Sequence, residues 1–116
     1  MGWLGSVEKV GEAIYVIRKI VLPKQRVGRW YCQFDDQNLG EFYDTLLAKG
    51  IEGETFANSL LFWGHIHPDN DLRPSLQDER QMSAFGKKNF FIRGIFGKDG
   101  SAKFTFFNYA NDIQII

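Results

Sequence analysis

Ser59-Leu60-Leu61-Phe62-Trp63-Gly64 is a short, unbroken apolar run that passes directly into His65-Ile66-His67-Pro68. An apolar run of this length without polar alternation has the pattern of a strand covered on both faces, which places it centrally in a sheet. His65 and His67 are the only histidines of the chain and stand two residues apart where that strand ends. In extended backbone, side chains at i and i+2 share a face, so both imidazoles can converge on one point. Open α/β sheets tend to place ligands just beyond their strand ends.

Working outward toward the N-terminus, Asp35 or Asp36 can cap a helix whose apolar stripe is Leu39, Phe42, Tyr43, Leu46 and Leu47, with Gly50 as its left-handed stop. Between Gly50 and Ser59 the chain is polar, contains Gly53 and reads as a loop. Earlier still, Gly2 to Val7 reads as a short strand and Lys9 to Glu12 as a turn. Ala13 to Leu22 is a β-branched strand that Pro23 ends, pairing back on the first. Arg29 to Phe34 fits one further strand. Toward the C-terminus a helix is predicted over Leu76 to Phe85, followed by strands at Asn89 to Phe96 and Ala102 to Tyr109. The Asp99-Gly100 pair between those strands is a hairpin turn signal. This order predicts an α/β (α+β) chain, a mixed β-sheet with flanking helices.

Composition narrows the function classes. Residues 1–116 contain no repeat, low-complexity segment or linker and read as one domain. At 44% hydrophobic and 24% charged, the chain is ordinary globular material, which excludes disordered and fibrous classes. No apolar stretch approaches the roughly 20 residues of a membrane span, so no membrane association is expected. Cys32 is the only cysteine, which excludes an internal disulfide framework and fits a cytoplasmic location. Fourteen basic residues balance fourteen acidic ones, so net charge gives no argument for a polyanionic partner. The cations Arg18, Lys19, Lys24, Arg26 and Arg29 do cluster ahead of an acidic stretch, with Trp30 and Tyr31 beside them. Aromatics on a basic strand can stack bases, but a solvated face explains the charges, and no nucleic-acid partner is assigned.

The loop from Pro68 to Pro74 spans roughly 23 Å if extended at about 3.3 Å per residue, so folding back to bring Asp78 beside the histidines is easy. Two neutral imidazoles and one carboxylate form a three-ligand zinc set with a fourth position left for water. Zinc can lower the pKa of such a water to about 7. Ser75-x-x-Asp78 also matches a helix capping box, a role compatible with metal binding. What favours the metal reading is the whole string, His65-x-His67-x7-Ser75-x2-Asp78, placed after a buried strand and opening a helix.

That string resembles the signature of the JAMM (JAB/MPN) zinc metalloprotease family. The stretches Phe62 to His67 and Pro74 to Met82 look like its compact prokaryotic and phage branch, and the opening Gly2-Trp3-Leu4-Gly5 and Leu22-Pro23-Lys24-Gln25 look similar too. The resemblance implies that His65, His67 and Asp78 bind zinc and that Ser75 helps stabilise a tetrahedral intermediate. It implies a fold related to the cytidine deaminase-like architecture, and hydrolysis of a peptide or isopeptide bond in a protein or peptide substrate, including a ubiquitin-like tail. The family's general-base glutamate, which precedes the glycine-rich opening stretch, aligns upstream of Met1. The chain is therefore expected to be N-terminally truncated, lacking that glutamate and the family's N-terminal helix. Glu8 and Glu12 lie past the glycines, at the wrong end of the strand. A partner that supplies the acid, or a non-catalytic binding or scaffold module, are the alternatives.

Other enzyme classes fail on residue supply. A two-metal phosphoesterase needs more than two histidines. A zinc deaminase needs a Pro-Cys-x-x-Cys signature that the lone Cys32 cannot provide. Neither substrate identity nor oligomeric state is set by the sequence.

Overall fold

A computed structural model describes residues 2–27, 32–34, 36–85 and 88–109 of the chain. Its sheet begins with a hairpin of β1 (Gly2–Gly11) and β2 (Ile14–Val21), paired antiparallel. The two-residue connection at Glu12 and Ala13 is tighter than the turn expected over Lys9 to Glu12, because Lys9 pairs with Tyr15 and Gly11 with Ile14. Two-residue pieces β3 (Arg26–Val27) and β4 (Cys32–Gln33) pair with each other and form a separate small ladder. Of the further strand expected at Arg29 to Phe34, only β4 is seen, and residues 29–31 lie outside the described residues.

The first helix, α1 (Asp36–Leu47), carries the expected stripe with one exception. Leu39 and Leu46 are buried, and Phe42 and Tyr43 pack against the core, but Leu47 is 51% exposed. Asp35 lies outside the described residues, and nothing is described of the Asp36 side chain, so the expected cap lies there too. Gly50 adopts φ +81°, as a left-handed stop requires. The expected loop that follows is instead a helix, α2 (Ile51–Ser59). Its buried positions are Gly53 and Ala57, one turn apart, while Ile51 faces solvent. A stripe of small residues gave no apolar periodicity to read. Gly53 lies so close to the end of α1 that a Cβ there would run into the Leu46 carbonyl.

The central apolar run is β5 (Leu60–Ile66), third in the five-strand order β2-β1-β5-β6-β7. Its neighbours are β1, antiparallel, and β6 (Phe90–Phe96), parallel. Helix α3 (Leu76–Ala84) lies on the crossover between the two parallel strands, and β7 (Ala102–Asn108) closes the sheet as a hairpin with β6. Gly100 turns that hairpin at φ +88°. The chain is thus a mixed α+β fold, with a five-stranded mixed sheet and three helices among the described residues.

The two sheet faces are furnished differently. One carries the helices: Leu4, Leu60, Trp63 and Phe91 of the sheet pack with Leu39, Leu46, Ala57 and Met82. The other carries an aromatic layer in which Trp3 meets Phe96, Phe96 meets Phe104, and Tyr15 meets both Phe90 and Phe106. No helix among the described residues is long and apolar enough to cross a membrane.

Candidate metal centre

The strand that carries the histidines runs further than the apolar run alone indicates. His65 is still in the ladder, opposite Gly2 on one side and Ile95 on the other. His67 follows the last strand residue, but its amide donates to the Phe96 carbonyl at 2.9 Å, which prolongs the extended backbone. The i, i+2 relation therefore holds, and the two Nε2 atoms lie 3.1 Å apart.

Asp78 arrives from α3. Ser75 is the N-cap in extended conformation, and its Oγ accepts from the Asp78 amide at 3.1 Å. In return the Asp78 Oδ2 accepts from the Ser75 amide at 2.8 Å, completing the capping box. That reciprocal pair fixes the carboxylate rotamer. Oδ1 is then 2.9 Å from His65 Nε2, and Oδ2 is 3.0 Å from His67 Nε2. Two imidazole nitrogens and a carboxylate thus converge on one small volume with His65 3% and Asp78 6% exposed. Burial alone would raise the Asp78 carboxyl, but the hydrogen bonds from His65 and the Ser75 amide outweigh it. The group is held well below the usual carboxylate range, ionised and ready to act as a ligand.

Second-layer contacts orient the rings. His67 Nδ1 faces the Asp71 carbonyl at 2.7 Å, where only an N–H can donate, so Nε2 is left with its lone pair pointing inward. The turn that presents this carbonyl is held by Arg73, whose Nε and Nη2 both donate to the Asp71 carboxylate. Those bonds, first of all the side-chain ones, lower the Asp71 carboxyl to about 2. The His65 ring is stacked on Trp63 at 4.5 Å and 16°, while its buried Nδ1 has no hydrogen-bond partner among the described residues. The Trp63 contact was legible, since Trp63 and His65 are also two apart on one strand. The Asp71 carbonyl was not, since a main-chain acceptor has no residue signature.

The donor set fits a tetrahedral ion. Zinc–ligand bonds of about 2.0–2.1 Å place neighbouring ligand atoms about 3.4 Å apart. One ligand atom from each of the three residues lies within 4.8 Å of the others, and the two Nε2 atoms are 3.1 Å apart, so modest side-chain movements bring the set to that spacing. Such a concentration of lone pairs and negative charge is what a cation stabilises, so His65, His67 and Asp78 can hold a metal ion. All three ligands named from sequence are brought together. Ser75 is beside them, with its hydroxyl oxygen engaged as the helix cap. Glu8 is not: it lies beyond Ser6, the last β1 residue paired to β5, and is ion-paired with Arg18 at 2.9 Å. Among the described residues no glutamate joins the histidine–aspartate group.

Comparison of the chain with family models, with curated proteins and with solved structures finds no match in any of the three.

Proposed function

We propose that this chain is a zinc hydrolase domain of the JAB/MPN kind, acting in the cytoplasm on peptide or isopeptide bonds in a protein or peptide tail. The observation that carries this reading is the convergence of His65 Nε2, His67 Nε2 and the Asp78 carboxylate at the end of a buried strand and the start of a helix. Zinc bound there would supply Lewis acidity toward water and a substrate carbonyl oxygen. The chain's own residues do the rest. His65 and His67 bind as neutral imidazoles, each turned by a neighbour, Trp63 or the Asp71 carbonyl. Asp78 brings the compensating negative charge. Ser75 Oγ accepts from the Asp78 amide, so its own O–H stays free to donate to an oxyanion.

The missing glutamate sets the expected rate. A positioned general base contributes about 10²–10⁴-fold, and among the described residues no further carboxylate joins this group. We therefore assign metal binding with weak hydrolysis to this chain. The same observation supports a second reading, a non-catalytic metal-holding module of this fold. Gly2, opposite His65, marks the β1 end that borders the site, and a base ahead of Gly2 or from a partner would enter there.

Metal analysis and a fluorogenic isopeptide assay test both readings together. We expect about one zinc per chain, lost in His67→Ala, with slow chelator-sensitive hydrolysis that Ser75→Ala reduces further while zinc is retained. Bound zinc with no hydrolysis, even with added formate as a surrogate base, selects the non-catalytic module. Absence of bound zinc overturns the metal centre.

A further inference from the structure

The two histidines ride on the sheet and Asp78 rides on α3, so the geometry of the group depends on how the first turn of that helix is fixed to the strands. Beside the ligands themselves, a polar strut runs between them. Arg93 stands on β6 opposite Trp63, on the helix-bearing face and two residues along the ladder from the His65–Ile95 pair. It is only 3% exposed, although arginine is almost never buried without a partner. Its Nη1 donates to Glu79 Oε1 at 2.9 Å, and Glu79 is the residue that follows Asp78 in the same turn. Its guanidinium lies 5.1 Å over the ring of Phe107, which takes the place of water on that side. Its Nε is buried with no hydrogen-bond partner among the described residues. A cation is a costly way to fill this space, and an aliphatic side chain would pack there without the unmade hydrogen bond. The contact it does make lies on the turn that presents the carboxylate ligand.

We propose that Arg93 is a positioning residue of the metal centre, holding the first turn of α3 through Glu79 so that Asp78 meets both imidazoles. This rests on the reading of His65, His67 and Asp78 as metal ligands. Packing alone does not distinguish Arg93 from its neighbours on β6, so the test needs a readout of ligand geometry. Cobalt(II), titrated into the full chain, supplies one through its visible absorption.

In Arg93→Met and Glu79→Gln the cobalt dissociation constant should weaken by about 10–100-fold, the range for loss of an outer-layer partner. The visible band should weaken and shift as the tetrahedral arrangement relaxes. Arg93→Lys should restore part of both. Glu79→Gln changes a half-exposed side chain, so it guards against an Arg93 variant that does not fold. Phe91→Leu, a core truncation on the same strand, should lower thermal stability while leaving cobalt affinity and band unchanged. If Arg93→Met and Glu79→Gln bind cobalt with the wild-type constant and spectrum, or if Phe91→Leu alters both as strongly, Arg93 is a packing residue and the proposal fails. If the wild-type chain binds no cobalt, the ligand assignment fails, and this proposal with it.

Discussion

Asp78 accepts from the Ser75 amide, and its Oδ1 lies 2.9 Å from His65 Nε2; both contacts favour the ionised carboxylate. The sign of the resulting pH effect is fixed by the direction of the shift. Its folded pKa lies below the ordinary value of 3.8, so the stability it contributes is complete above that value and is lost as pH falls through it toward the depressed folded value. In metal-free protein, Asp78→Asn should cost about 1.5–3 kcal/mol at neutral pH, the scale of hydrogen bonds to a charged group. Thermal midpoints of the two proteins, followed downward in pH, should converge below 3.8. A gap that persists in acid would mean the ionised carboxylate is not what stabilises this turn. At this scale the sequence was unusually informative. A two-residue spacing on a strand fixes a shared face for His65 and His67, and a capping box fixes where the Asp78 side chain points. The Asp71 carbonyl escaped because its position depends on how Arg73 folds the intervening turn.

Helix α2 shows the opposite case at the level of an element. Helices announce themselves through large apolar residues on one stripe, and α2 uses Gly53 and Ala57 where it meets α1. The closeness of the two helices is the information, and it exists only in three dimensions. Gly53→Ala should therefore destabilise the fold by about 1–3 kcal/mol, or more, through overpacking against backbone. Gly40 on the exposed side of α1 is the internal control, because a Cβ there meets nothing. Gly40→Ala should stabilise by up to about 1 kcal/mol through helix propensity. Urea denaturation of the two variants checks both signs. Two destabilised proteins, or two stabilised ones, would contradict this account of the α1–α2 contact. Element types were otherwise readable wherever large side chains did the burying, as in β5, β6, β7 and α3. The order of strands was not, since the placement of β1 between β2 and β5 is a long-range pairing with no local signature.

For the whole molecule, the candidate metal centre joins parts of the chain that fold from different local signals: the end of β5 and the start of α3. A ligand that binds only the folded state stabilises it by RT ln(1 + [L]/Kd), about 2.7 kcal/mol at a hundredfold excess over Kd. For a chain of this size that corresponds to a rise in thermal midpoint on the order of 10 °C. Zinc should produce it in the wild type, a chelator should reverse it, and His67→Ala should abolish it. A midpoint indifferent to zinc across micromolar to millimolar concentrations would argue against a built site.

Trp63 gives the protein a consequence of a different kind. Its indole lies face to face with the His65 imidazole, inside the core and away from solvent. Whatever electron density the imidazole gives up is withdrawn beside a natural fluorophore. A paramagnetic ion at Nε2 would open a short-range path for the excited state to decay, dimming that emission without any attached dye. The chain therefore carries its own optical gauge of site occupancy, built from the same two-residue spacing that brings the histidines together.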